Sequence, residues 1–163
     1  KEVALKLEVL HRIPLFRNVT YQELVRIINI TRTKTYKADE HVVLEGDDGD
    51  ELLVVLSGKL RMHAAGADLR DLSSGDYFGE MALVDQAPRS ATVTAREESR
   101  IIGIRRRDFF DLVRKDRDIA VKLLWSFLQL IAQRYRGVSQ ELTDMRAELA
   151  AVQALLGDAE SGR

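Results

Sequence analysis

The sequence predicts an α+β domain: an antiparallel all-β unit, barrel or sandwich, with helices before it and a long coiled-coil helix after it. Three observations carry this reading. Thr20 and Glu23 have capping-box spacing ahead of apolar residues at helical intervals. From Lys34 to Ile104 the texture changes to short Val-, Leu- and Thr-rich segments punctuated by Gly46, Gly49, Gly58, Gly66 and Gly75. After Arg107 a helical pattern returns and settles into heptads.

Taken in order, the segment HRIPLF carries Pro14 and two apolar clusters that serve to pack the following helix onto the body. That helix is expected from about Tyr21 to Ile30, with Leu24, Ile27 and Ile28 on its buried face. Within the β region, Leu60 and Met62 alternate with Lys59, Arg61 and His63, and Ala91, Val93 and Ala95 alternate with Ser90, Thr92 and Thr94. Both are half-buried strands by their period of two. The run Arg105-Arg106-Arg107, ahead of Asp108 and Asp111, reads as solvating the start of a helix rather than as a nucleic-acid patch. In the final helix Leu128, Tyr135, Leu142, Leu149 and Leu156 occupy a positions, and Leu124, Ile131, Val138, Met145 and Val152 occupy d positions. Glu141 at g precedes Arg146 at e, the pairing expected between two parallel copies, so a symmetric homodimer follows. Trp125, Phe127 and Leu130 widen the apolar face at the start of this helix and are expected to pack on the β unit. Beyond Gly157 the polar tail is expected to fray.

Composition removes several function classes. The 163 residues suffice for one domain with a real core but not for a second large one. Lys plus Arg number 25 against 26 Asp plus Glu, so no global field draws the chain to nucleic acid or an anionic membrane. With no cysteine there is no disulfide framework, thiol nucleophile or thiolate metal site. No apolar run is long enough to span a bilayer and nothing reads as a signal peptide, which predicts a cytoplasmic protein. HExxH, GxSxG, Walker and GxGxxG signatures are absent, and the three histidines, His11, His41 and His63, are far apart in sequence. The expectation is a protein that is not an enzyme and holds no metal. The chain begins at Lys1 rather than Met, compatible with a piece of something longer.

The chemistry concentrates in residues 78 to 92, FGEMALVDQAPRSAT. A phosphate in a shallow turn wants a guanidinium whose fixed fork meets two oxygens, and Arg89 supplies one. It also wants a close backbone with free N–H groups, which Gly79 and a short helix starting near Glu80 provide. A carboxylate at Glu80 is a poor neighbour for phosphate alone and a sensible one for a sugar hydroxyl. Ser90 adds a hydroxyl beside the arginine, Pro88 fixes φ before it, and the strand from Ala91 holds it rigidly.

FGEMAL followed by PRSATV resembles the phosphate-binding cassette of the cyclic nucleotide-binding domain family, of the catabolite activator protein and protein kinase A regulatory subunit type. HRIPLF, Glu45-Gly46-Asp47, LSGKL at Leu56 to Leu60 and GDYFGE at Gly75 to Glu80 extend the likeness over roughly residues 8 to 115. The resemblance implies an antiparallel β-roll, a jelly-roll-like barrel, flanked by N-terminal helices and a long C-terminal coiled-coil helix. It implies that Glu80 binds the ribose 2′-hydroxyl, that Arg89 binds the exocyclic phosphate oxygens, and that Gly79, Met81, Ala82, Ser90 and Ala91 contribute around them. Leu69 and Leu72 become apolar walls for the base, and Ser139, with Val138 beside it, meets the base from the long helix. Gly137 either permits a bend over the ligand or is simply tolerated.

The implied organisation is a binding β-roll with its N-terminal helices over residues 1–115, a base lid and parallel dimerisation helix over 116–157, and a disordered tail over 158–163. The implied activity is sensing of a cyclic nucleotide, cAMP by preference with cGMP left open. Ligand would reposition the dimer helix and so control a downstream output domain or partner. A dimerisation scaffold with an idle pocket and a fragment of a transcription regulator are the alternatives. These residues predict neither membrane attachment nor direct nucleic-acid binding.

Overall fold

A computed structural model describes residues 1–162. They form two compact units, one covering Lys1–Ser126 and the other beginning at Phe127.

The first unit opens with helix α1 (Glu2–Arg12), a 3-10 turn over Pro14–Phe16 and helix α2 (Tyr21–Asn29). The capping box is present in both directions: Glu23 N–H donates to Thr20 Oγ1 at 3.2 Å, and Thr20 N–H donates to Glu23 Oε2 at 2.7 Å. Leu24, Ile27 and Ile28 are buried as their spacing requires, and Leu10, Ile13, Leu15 and Phe16 from the HRIPLF region are fully buried beside them.

Eight strands follow: β1 (Thr31–Tyr36), β2 (His41–Val43), β3 (Glu51–Ser57), β4 (Lys59–Ala64), β5 (Ala67–Ser73), β6 (Tyr77–Phe78), β7 (Thr92–Ala95) and β8 (Ser99–Arg105). They pair antiparallel in two four-stranded sheets, β1-β8-β3-β6 and β2-β7-β4-β5. The expected barrel is therefore a roll of two sheets, because among the described residues no strand pairing joins one sheet to the other and closes it. Between the sheets Tyr36, Leu53, Val55, Phe78 and Ile101 of the first meet Leu60, Leu72, Val93 and Ala95 of the second. The alternate residues of the first sheet, Leu52, Val54, Ile102 and Ile104, are fully buried on its other face, where α1 lies against β3. The β4–β5 hairpin turns on Ala65 (φ 50°) and Gly66 (φ 78°), the two left-handed residues that a tight two-residue hairpin needs.

Helix α3 (Arg106–Lys115) follows β8 directly. Arg105 and Arg107 are exposed at its start, as the arginine run suggests, but Arg106 packs rather than solvates. Its N–H donates to Asp50 O at 2.7 Å and its guanidinium lies 5.5 Å from the centre of the Phe110 ring. Helix α4 (Arg117–Ser161) begins in the first unit. Asp116 caps it, accepting from Ile119 N–H at 3.1 Å, and that bond together with the Arg26 guanidinium holds the carboxyl below its ordinary range. Lys122 Nζ reaches both oxygens of Glu23 at 2.8 Å, tying α4 to the capping box of α2.

Ile119, Leu123, Phe127 and Leu130 form the buried face of α4. Trp125, expected with Phe127 and Leu130, is instead 59% exposed. Two residues on a helix turn the side chain by about 200°, so Trp125 lies with Val121, Leu124 and Leu128 on the opposite face. In the second unit α4 continues unbroken past Gly157 to Ser161, with Ser161 Oγ donating to Gly157 O at 3.0 Å where the sequence suggests fraying. Arg163 lies outside the described residues.

Candidate functional site

The site grows from the end of the short strand β6. Pairing of Phe78 with Leu53 fixes β6 on β3, and the next residue, Gly79, takes φ 77° and turns the chain into a 3-10 turn over Glu80–Leu83. A left-handed backbone favours glycine, and here an added Cβ would also stand 2.8 Å from Glu51 O. Glu80 starts the turn and its side chain is swallowed by the fold, 4% exposed. Ala82 and Leu83 are also buried, Met81 is partly so, and Ala82 N–H closes the turn on Gly79 O at 3.0 Å.

Arg89 arrives from the other side on a clamped backbone. Its N–H donates to Asp47 O at 2.7 Å, its carbonyl accepts from Gly46 N–H at 2.8 Å, and Asp48 bridges Pro88. The side chain then passes between two glycines. A Cβ on Gly49 would stand 2.8 Å from Arg89 Nε, and one on Gly79 would stand 2.1 Å from Nη1. Nη2 donates to Glu51 O at 2.9 Å. One edge of the guanidinium is thus anchored to the backbone of β3, and the five-donor fork has further N–H groups to offer an anion. Burial pulls the pKa of Arg89 down, while the charges of Glu51, Asp50 and Glu80 pull it up.

Glu51 itself points to the inner face of the first sheet, over Gly103, in a cavity of about 210 Å³ that Lys34 and Tyr36 also line. Burial, helped by Asp50, raises its pKa above the ordinary value against the opposing charges of Arg89, Arg105 and Lys34. The structure brings together Gly79, Glu80 and Arg89, which sequence reasoning singled out, and adds beside Arg89 the residues Gly49, Asp50 and Glu51, which it did not. The available signal was the second Gly-Asp pair in EGDDGDE, a repeat with no turn to justify both glycines.

The remaining expected residues divide. Ala91 is buried at the entry to β7 and Ser90 is exposed beside Arg89. Leu72 is fully buried in the core between the sheets, whereas Leu69 is 57% exposed. Leu69 is the residue skipped where β5 pairs with β4, between Met62↔Arg70 and His63↔Asp68, so a bulge re-aims it. The two leucines are therefore not brought together as facing walls. Val138 and Ser139 lie on α4 in the second unit, Val138 exposed and Ser139 half-buried. Along that helix every a and d residue from Leu124 to Leu156 is between 45% and 73% exposed. Two of the scattered histidines do meet: His41 Nδ1 lies 2.8 Å and His63 Nε2 3.0 Å from Thr94 Oγ1. Among the described residues no three metal-ligating side chains cluster, and no helix is long and apolar enough to cross a membrane.

A buried acid, a clamped arginine and a left-handed glycine thus stand together where β6 ends. The family model described as the cyclic nucleotide-binding domain matches residues 33–116, and the chain belongs to that family. It is 31% identical to the cyclic AMP receptor protein of Thermus thermophilus over 134 residues, 79% of this chain and 60% of that one. It is 37% identical to a cGMP-dependent protein kinase of Toxoplasma gondii over 99 residues, 61% of this chain and 10% of the kinase. Among solved structures, the N-terminal domain of a transcriptional regulator from Streptomyces coelicolor superposes with a TM-score of 0.76 at 25% identity, covering 80% of this chain and 94% of that one. The chain thus spans between a tenth and 60% of the length of these two relatives.

Proposed function

We propose that the protein is a cytoplasmic cyclic nucleotide sensor, selective for cAMP, that dimerises through α4 and passes ligand occupancy to an output domain or partner. The observation that carries the reading is Arg89 held in a slot between Gly49 and Gly79 with the buried Glu80 beside it. A fork anchored to one backbone carbonyl, and still able to donate, is suited to a singly charged phosphodiester. The carboxylate next to it is suited to a ribose hydroxyl, and Met81, Ala82, Ser90 and Ala91 complete the lining.

The preference for cAMP draws on the likeness to the cyclic AMP receptor protein, which runs through more of the chain than the likeness to the cGMP-dependent kinase. In this reading Ser139 and Val138 meet the base. Contact of one ligand with both the cassette and α4 favours one arrangement over another, and a switch from mostly off to mostly on takes a differential of roughly 5 kcal/mol. The exposed a and d residues support dimerisation, since such a stripe is the seam of a parallel coiled coil. Leu142→Asp is then expected to give a monomer in sedimentation equilibrium where the parent chain gives a dimer.

The decisive experiment is calorimetric titration with cAMP and cGMP, beside an Arg89→Ala variant shown to be folded. Micromolar or tighter binding of cAMP that vanishes in the variant is expected. No heat from either nucleotide, in a folded and unliganded protein, would leave the scaffold reading in possession.

A further inference from the structure

A further cavity opens in the first unit. It is a cleft of about 610 Å³ beside α3, lined by Asp50, Gln86, Arg106, Arg107, Phe110, Asp111 and Arg114. None of Gly79, Glu80 and Arg89 lines it.

Two independent features mark it as a place where something binds. Arg106 Nη1 is buried and has no hydrogen-bond partner among the described residues, although the same side chain lies over the Phe110 ring. An unsatisfied guanidinium nitrogen out of water costs stability unless an acceptor meets it. The second feature is the charge count. Three guanidiniums face two carboxylates, Asp50 and Asp111, which leaves one positive charge for an occupant to neutralise. A single carboxylate matches both the residual charge and the missing acceptor, whereas a phosphate dianion would leave the cleft with a net negative charge. The cleft has the volume of a small-molecule site, and Phe110 offers a flat apolar surface to the body of the ligand.

We propose that this cleft is a second ligand site, for a small organic acid that carries one carboxylate on an aromatic or apolar body. The carboxylate accepts from Arg106, with Arg107 and Arg114 at the rim, and the body lies along Phe110. The site touches the cassette through one dipeptide. Arg106 N–H is bonded to Asp50 O, and Arg89 Nη2 to Glu51 O, so the two arginines lean on consecutive carbonyls.

The test is a proton–nitrogen NMR titration of the full chain with sodium benzoate, inorganic phosphate and an N-acetylated, amidated glutamate. Arg106→Gln and Arg114→Gln are titrated alongside, the second placed on an exposed side chain so that folding is preserved. Saturable benzoate shifts at Arg106, Arg107 and Gln86, weakened about tenfold or more in at least one variant, are the expected result. Three results would overturn the proposal: no saturable benzoate shift, shifts unchanged in both variants, or phosphate binding as well as benzoate. Binding of the capped glutamate in place of benzoate would reassign the cleft to an acidic side chain of a partner protein.

Discussion

Gly79→Ala isolates what the glycine at the cassette does, because the fold supplies its own control. Gly66 has φ 78° and Gly79 has φ 77°, so alanine meets the same backbone penalty at both positions, about 1 to 2 kcal/mol for a left-handed non-glycine residue. A Cβ on Gly66 meets nothing within 4 Å, whereas one on Gly79 meets Arg89 Nη1 at 2.1 Å and Glu51 O at 2.8 Å. Arg89 can swing away; the Glu51 carbonyl belongs to β3 and cannot. Displacing the guanidinium also breaks its bond to Glu51 O, a hydrogen bond from a charged donor worth about 1.5 to 3 kcal/mol. Gly66→Ala is therefore expected to lose about 1 to 2 kcal/mol in urea unfolding and to bind cyclic nucleotide as the parent does. Gly79→Ala is expected to lose about 3 to 5 kcal/mol, with nucleotide affinity down about a hundredfold as the fork leaves its place. Equal stability losses in the two variants, with binding intact in both, would refute the close-approach argument.

Other perturbations separate positioning from stability. At Gly49 the atoms nearest an added Cβ are Nε, Cζ and Cδ of Arg89, all of one flexible side chain. Gly49→Ala should then cost less in unfolding free energy than Gly79→Ala, since it meets no left-handed backbone penalty, while weakening nucleotide binding in calorimetry. Glu51 has its folded pKa raised above 4.5 by burial, so its contribution to stability is most favourable when protonated and is lost as pH rises through that region. Glu51→Gln is expected to be more stable than the parent at pH 7 and to converge on it at acid pH, followed by urea midpoints across pH 3 to 8. For Asp116 the sign reverses: its depressed pKa gives stability that is present above the ordinary carboxylate range and lost as pH falls through the folded value, so Asp116→Ala should flatten the acid limb of the same profile. Gly137 sits at an exposed helical position where a Cβ meets nothing, so Gly137→Ala should stabilise the helix by about 1 kcal/mol in thermal unfolding.

Local signals carried much of the fold. The Thr20–Glu23 box placed the start of α2, and alternation around Leu60 and Val93 placed two strands of one sheet, because each depends on neighbours a few residues away. Trp125 was misplaced for the converse reason. Its apolar character is local, but the face it takes is set by Ile119, Leu123 and Phe127 filling the buried side first. Leu69 escaped because a bulge adds one residue to a strand and leaves composition unchanged.

The site shows the same division within fifteen residues. Residue types at Gly79, Glu80 and Arg89 suggest an anion and a sugar, yet what holds Arg89 in place lies about forty residues earlier in the chain. Asp47 and Gly46 grip its backbone, Gly49 gives the side chain room, and the Glu51 carbonyl fixes one edge of the fork. A free arginine would lose up to about 2 kcal/mol of rotamer freedom on meeting a phosphate, and here that ordering is already done by folding. Affinity is therefore predicted to depend on the 46–51 segment as strongly as on the cassette. The same segment carries Asp50, whose carbonyl accepts from the Arg106 backbone N–H one residue before the carbonyl that holds Arg89.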